Sequence, residues 1–308
     1  MSSGDLVHLE SRAGSEVYGR ADNEGWRLTL ATPIASAIEP LLPTRQRYGR
    51  WIDRIGLVPA VVIGVVVSVA VVFATFQIPS LAAPLVPKSW ERKFGDALVG
   101  DFGGKFCTGA GGQAALAKLS ARLGASPEDY RIRVVNVPIV NAAALPGGNI
   151  VVFRQLITQA EGPDELAGVL AHEISHVEQR HVTQGLIREL GLGIFIAMLG
   201  GSTGSSADML MSATYSRKAE AEADEGARTA LERANISPLP TAGFFARLSR
   251  AEGKGTAATM VNYLDSHPLS ADRRQRFERA ALPGKAYTPA LSREEWGALR
   301  NICGRPAK

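Results

Sequence analysis

The sequence predicts an α+β protein: a mostly helical domain with a small β-sheet or hairpin, one transmembrane helix and a small N-terminal β module. Three observations predict this. An uncharged Val- and Ala-rich run from Leu57 to Phe76 can span a hydrocarbon core of about 30 Å at about 1.5 Å per residue. Before it lie short alternating segments separated by turn residues. After it, long stretches carry the three-to-four-residue apolar recurrence of helices, broken by one hairpin pattern.

The 308 residues allow one good-sized domain and an accessory piece, and a hydrophobic content of 45% excludes wholesale disorder. The net charge of +4 comes from scattered Lys and Arg, with no basic run interleaved with aromatics, so no nucleic-acid partner is expected.

Residues 1–50 read as the β module. Val7-His8-Leu9 and Val17-Tyr18 are short strands, and Trp26, Leu28 and Leu30 alternate with Arg27 and Thr29. Gly14, Gly19 and Asp22-Asn23 supply turns. No reactive cluster is visible here; the module is a sensor or a topological anchor.

The membrane segment is expected over residues 57–77, with membrane lipid as its partner. A cleaved signal peptide fits poorly, because a long polar stretch precedes the run and such apolar cores are typically about 7–15 residues. Pro59 falls in a first turn, where proline is tolerated. Arg45, Arg47, Arg50 and Arg54 before the run slightly outweigh Lys88, Arg92 and Lys93 after it. That bias puts the N-terminus in the cytoplasm and the rest in the periplasm, as a single-pass protein of the inner membrane. Cys107 and Cys303 both follow the membrane run, so on the exported side they can form a disulfide. In the chain-entropy view, closing so long a loop stabilises by at most about 5 kcal/mol.

Beyond the membrane, Pro79, Pro84 and Pro87 suggest a stiff connector over residues 78–95, with Lys88 to Leu98 amphipathic. The main domain then occupies residues 96–308. Gly112 to Leu123 reads as a helix and Arg131 to Val137 as a strand. Asn141 to Phe153 reads as strand, Gly147-Gly148 turn and strand. The edge formed by Asn141, Ala142, Ala143, Ala144 and Leu145 could pair with an extended peptide, although a purely structural hairpin explains it equally. Leu190 to Leu199 is apolar but too short to cross a bilayer. The Gly- and Ser-rich residues Gly200 to Ser206 follow it with hinge composition, leaving a buried helix or a mobile lid as the alternatives.

Chemistry concentrates in Asp164 to Val182, a helix opened by Gly162-Pro163 and given early negative charge by Asp164 and Glu165. Leu166, Leu170, Ile174 and Val177 form one apolar stripe. His172 and His176 fall together on another face. Two imidazoles one turn apart can hold one zinc ion, and Glu173 beside the first can serve as general base toward a water.

A third donor is needed. His181 is nearest, but Gln179 and Val182 stand where the metzincin pattern needs Gly and His, which excludes that class. The better candidate lies on a helix expected over Asp208 to Ala234, where Glu220 and Asp224 share a face. Ala213, Ala223 and Ala227 lie near that face, and Ala167, Gly168, Ala171 and Ser175 make a matching small face on the zinc helix. One carboxylate can then ligate zinc while the other orients a ligating histidine. Glu222 points elsewhere and is expected in solvent.

These residues resemble the membrane-associated gluzincin metalloproteases, the family of HtpX, BepA, their mitochondrial relatives and the CAAX prenyl proteases. The resemblance covers Lys88 to the C-terminus. It rests on Pro146-Gly147-Gly148, on His172-Glu173-x-x-His176-x-x-x-x-His181, on Ser216-Arg217-x-x-Glu220-x-x-x-Asp224, and on His267-Pro268 followed by Arg273. It implies a zincin-like domain holding one Zn2+ per chain, with His172, His176 and Glu220 as ligands and Glu173 as general base. It further implies His267 as a gate or auxiliary ligand and Arg273 as a substrate-binding or oxyanion-stabilising residue. The activity implied is that of a membrane-anchored zinc endopeptidase in envelope quality control, acting on misfolded or membrane-proximal polypeptides. A zinc-retaining chaperone or assembly factor with little turnover is the alternative. The several membrane helices of HtpX and the helical repeats of BepA have no counterpart here, so an intramembrane chamber and repeat-borne adaptor work are not carried over.

Overall fold

Alternating residues at the start of the chain build an antiparallel meander of β1 (Leu6–Arg12), β2 (Ser15–Arg20) and β3 (Asn23–Ala31). Tyr18 lies between His8 and Leu28 across the sheet. Leu9 folds over Gly19, where a Cβ would meet Leu9 Cδ1 at 2.7 Å and displace that side chain. The computed structural model describes residues 6–43, 49–100, 105–199, 215–254, 267 and 272–304. The chain divides into two compact units, residues 1–74 and 75–308.

A short helix α1 (Arg50–Ile55) stops at Gly56, and α2 (Leu57–Ala82) follows. α2 is apolar around its whole circumference, and it is long and apolar enough to cross a membrane. Val58, Val66 and Phe73 are among its exposed side chains. It continues past Phe76 and carries Pro79 inside it, whereas the sequence suggested that Pro79 begins the connector. Pro79 is buried, in a helix position where proline leaves one backbone hydrogen bond unmade. Ala83 and Val86 also enter a core, beside Phe94, Leu98, Val182 and Leu186. Ala83 and Val86 thus anchor this segment in the second unit's core, while Pro84 and Leu85 between them are exposed.

In the second unit, α3 (Lys88–Gly100) and α4 (Ala110–Arg122) precede a small mixed sheet of order β4-β6-β5. The central strand β6 (Asn149–Phe153) runs parallel to β4 (Arg131–Val135) and antiparallel to β5 (Ala142–Leu145). All of β6 is buried, as its apolar Ile-Val-Val-Phe run requires. The expected hairpin is present, with Pro146–Gly148 as its turn. Gly147 and Gly148 adopt φ of 73° and 87°, and a Cβ on Gly148 would come within 1.9 Å of Asp129 O. Here both the backbone conformation and the close approach demand glycine.

The remaining elements are α5 (Arg154–Gln159), α6 (Pro163–Glu178), α7 (His181–Leu199), α8 (Arg217–Arg233), α9 (Leu239–Lys254), α10 (Arg273–Ala280) and α11 (Arg293–Arg300). Leu166, Leu170 and Ile174 of α6 join the main core with Leu119, Ile150 and Phe244. Val177 lies at its margin, so the predicted stripe is the packing face. Helix α6 is shorter than the expected span of 164–182. It ends at Glu178, and Arg180 takes a left-handed φ of 55° before α7 starts at His181. Arg180 is held there because its Nη1 donates to Ala83 O at 2.6 Å and Val86 O at 3.0 Å. α8 begins at Arg217, where Ser216 Oγ accepts from Ala219 N–H. The earlier start expected at Asp208, and the hinge at Gly200 to Ser206, lie outside the described residues, as do Ala213 and Pro268.

Cys107 and Cys303 form the expected disulfide across a sequence separation of 196. It ties the segment before α4 to the end of α11, where Gly109 N–H also donates to Ile302 O at 3.0 Å.

Candidate metal centre

Helix α6 presents His172 and His176 toward α8, and close contact between the two helices brings the carboxylates of α8 to them. Ala223 and Ala227 are fully buried, as the small-face pattern predicts. The tightest approach is at Gly226, where a Cβ would fall 2.1 Å from Ser175 Oγ. Gly168 instead meets Thr241 of α9, with a Cβ position 1.8 Å from Thr241 Oγ1. The sequence reading missed Gly226, although a glycine inside a helix of good helix formers marks a close approach.

The structure brings His172, His176, Glu220 and His267 together, with one potential donor atom from each within 4.8 Å of the others. His172 Nε2 and His176 Nε2 are 3.0 Å apart. They lie 3.5 Å and 3.3 Å from Glu220 Oε2 and Oε1. His267 Nδ1 stands 3.0 Å from Glu220 Oε1 and 3.3 Å from His172 Nε2. Glu173 flanks the group, its Oε1 3.4 Å from His267 Nε2. All five side chains are at most 3% exposed.

Each group is secured from behind. Asp224 Oδ1 lies 3.1 Å from His172 Nδ1. Arg273 donates to Asp224 through Nε at 2.9 Å and Nη2 at 2.7 Å, and its Nη1 is 2.8 Å from Glu220 Oε2. The guanidinium also lies over the Phe245 ring, 4.1 Å from its centroid. Arg273 is 1% exposed, so its contacts are with the two carboxylates and not with an open cleft. Glu222, expected in solvent, reaches His181 Nε2 with its Oε2 at 3.1 Å. His181 Nδ1 in turn lies 3.0 Å from His176 Nδ1. Tyr215, which sequence reasoning missed, stacks on His176 with centroids 3.9 Å apart.

The edge strand meets the site where Ala144 N–H donates to Glu173 Oε2 at 2.9 Å. Ala142 N–H donates to Asn141 Oδ1 at 2.8 Å. Asn141, Ala142, Ala144 and Leu145 are buried and Ala143 is half-buried, so this edge is not open in the state described. Beside His176, a cavity of about 260 Å3 runs along Arg180, Gly147 and the α3 residues Lys88 and Arg92.

Burial raises the Glu173 carboxyl above its ordinary pKa, against the pull of the His267 and His172 imidazoles. Burial also opposes charge on Glu220, but the same two imidazoles outweigh it and hold this carboxyl far below the usual range. His172 resists protonation through burial, yet Glu220 and Asp224 carry its pKa up to about 9. Burial pushes His176 well down, with Glu220 opposing. The centre is therefore a pocket of negative potential fitted with nitrogen lone pairs, which suits a divalent cation as well as it suits a proton.

Comparison with known proteins agrees with this geometry. Residues 112–281, more than half of the chain, match peptidase family M48. The chain is 30% identical over 156 residues to the mitochondrial metalloendopeptidase OMA1 of Arabidopsis thaliana, covering 49% of this chain and 31% of that protein. It is 30% identical over 170 residues to the metalloprotease LoiP of Escherichia coli, covering 52% and 65%. It is 28% identical over 192 residues to the beta-barrel assembly-enhancing protease of Yersinia pestis, covering 57% and 39%. The chain thus matches between about a third and two thirds of the length of these relatives. The protein belongs to peptidase family M48.

Proposed function

We propose that this chain is a membrane-anchored zinc endopeptidase. The observation that carries the reading is the convergence of two imidazole Nε2 atoms and one carboxylate on a common point, with a second buried carboxylate alongside. Two histidine nitrogens and a carboxylate oxygen form a donor set typical of catalytic zinc. His172, His176 and Glu220 would hold the ion. When bound, it would supply Lewis acidity toward a peptide carbonyl.

The chain's own residues supply the rest. Glu173 takes a proton from the attacking water on Oε1 and returns it to the leaving amine. Its Oε2 is pinned by Ala144 N–H, so the base and the substrate edge share one register. Asp224 orients His172, and Arg273 acts as a positioning residue that clamps Asp224 to Glu220. This replaces the substrate-facing role that the resemblance implied for Arg273. His267 fills the space between Glu173 and Glu220 as a gate, and it must move aside for a peptide to enter. The peptide then lies along β5. Within a strand, the N–H and C=O of one residue point the same way. The outer rim therefore offers the carbonyls of Ala142 and Ala144.

The apolar α2 supports a membrane anchor, and the excess of Arg before it favours an inner-membrane protein with the N-terminal β module in the cytoplasm and the peptidase domain in the periplasm. Misfolded or membrane-proximal envelope polypeptides are the substrates this reading favours. The test is Glu173→Gln in the full chain. Digestion of an unfolded reporter protein should fall by about 10²–10⁴-fold while zinc is retained. Undiminished cleavage would remove Glu173 from the mechanism, and absence of cleavage by the parent protein would reject the endopeptidase.

A further inference from the structure

On its Nδ1 side, His176 is linked to a carboxylate through another imidazole. Its Nε2 is the atom aimed at the candidate metal position, 3.3 Å from Glu220 Oε1 and 3.0 Å from His172 Nε2. Its Nδ1 faces His181 Nδ1 at 3.0 Å, and His181 Nε2 faces Glu222 Oε2 at 3.1 Å. Only one proton fits between two facing ring nitrogens.

We propose that Glu222 and His181 form a tautomer relay that fixes the proton of His176 on Nδ1 and so presents its Nε2 lone pair to the metal. The inference rests on the metal-centre reading above. With both rings neutral, the hydrogen accounting has one consistent solution. Glu222 is a carboxylate and only accepts, so the proton of a neutral His181 sits on Nε2. His181 Nδ1 is then a lone pair and must receive a proton from His176 Nδ1. His176, neutral with its proton on Nδ1, is left with a free lone pair on Nε2. Reversing the relay would turn a bare His181 nitrogen toward a carboxylate and point an N–H into the ligand cluster.

The surroundings hold this arrangement in place. Tyr215 stacks flat on His176, with an interplanar angle of 18°, which opposes rotation of the ring. The His181 side chain is 2% exposed, whereas that of Glu222 is 41% exposed with Lys218 Nζ 3.7 Å from its other oxygen. The relay therefore runs from a partly solvated carboxylate to a buried ligand. It depends on the helix break at Arg180, because a continuous helix would carry His181 away from His176. His181 and Glu222 are positioning residues and touch neither metal nor substrate.

The experiment uses the full chain in detergent and measures the zinc dissociation constant by chelator competition, together with nitrogen-15 spectra of the labelled histidines. The parent protein should show His176 protonated at Nδ1 when zinc-loaded. His181→Ala should weaken zinc about 10–100-fold, in the range set by loss of a partner to a ligating histidine. His181→Asn, whose side-chain oxygen can accept from Nδ1–H, should recover part of that loss. Glu222→Ala, at a partly exposed position, should weaken zinc by a smaller factor, and it keeps the test valid where His181→Ala fails to fold. Parent-like zinc affinity in the His181 and Glu222 variants, or a proton on His176 Nε2, would overturn the relay while leaving the peptidase reading intact. A parent chain that binds no zinc would overturn both.

Discussion

His172 and His176 stand one turn apart on α6 and aim the same ring nitrogen at the same carboxylate, yet they are secured in different ways. Behind His172 lies Asp224, 1% exposed, gripped by an equally buried Arg273 that also touches Glu220. Behind His176 lies the His181 ring, and behind that a carboxylate partly in solvent. The first support joins α6, α8 and α10 through buried charges, so its loss should damage the fold as well as the metal. The second should act on the metal with little cost in stability. One helix thus carries a structural brace and a tuning device on neighbouring turns.

Removing Asp224 should have the largest effect. Asp224→Ala leaves Arg273 and His172 Nδ1 without their shared acceptor, and breaking a buried ion cluster in this way costs about 3–5 kcal/mol. Zinc affinity should fall about 10–100-fold as well. Denaturant unfolding and chelator competition measure the two losses. Stability loss for His181→Ala as large as that for Asp224→Ala would erase the contrast between brace and tuner.

A middle-sized effect is expected from the contact both supports depend on. Gly226→Ala puts a Cβ 2.1 Å from Ser175 Oγ, which forces α6 and α8 apart. The cost should be about 1–3 kcal/mol. Zinc affinity should fall with it, because Glu220 and the histidines sit on opposite helices. Adding Ser175→Ala should return part of both losses. A Gly226→Ala protein with unchanged zinc affinity would show that the carboxylates are placed by something other than this contact.

The smallest effect on the metal should come from the disulfide. Cys303→Ser opens a link spanning 196 positions and should cost about 2–5 kcal/mol of stability. The zinc dissociation constant at a temperature where the protein stays folded should not change, since neither cysteine nor its segment supplies a donor. A shift comparable to that of His181→Ala would join the disulfide to the metal site.

Much of this centre is legible in the sequence because regular helices map spacing onto direction. His172 and His176 at four-residue spacing, and Glu220 and Asp224 likewise, must each share a face, and the small residues beside them show where the two helices can meet. What spacing does not reveal is where a helix stops. Arg180 takes a left-handed conformation that glycine usually supplies, held by bonds to Ala83 O and Val86 O nearly a hundred residues earlier. No local signal marks it, so the His181–His176 contact and the role of Glu222 stay hidden. The same holds for Pro79, which composition assigns to a connector and which the structure places buried inside a helix. Ala144 N–H on Glu173 is likewise a tertiary bond between a strand and a helix, with no sequence pattern of its own.

The most direct measurement is the zinc content of the full chain purified in detergent, for the parent, Glu173→Gln and Glu220→Ala. One zinc per chain is predicted for the first two proteins, and its loss is predicted for Glu220→Ala with the fold retained by circular dichroism. Stoichiometric zinc at parent affinity in Glu220→Ala would contradict the assignment of this carboxylate as the donor that completes the site.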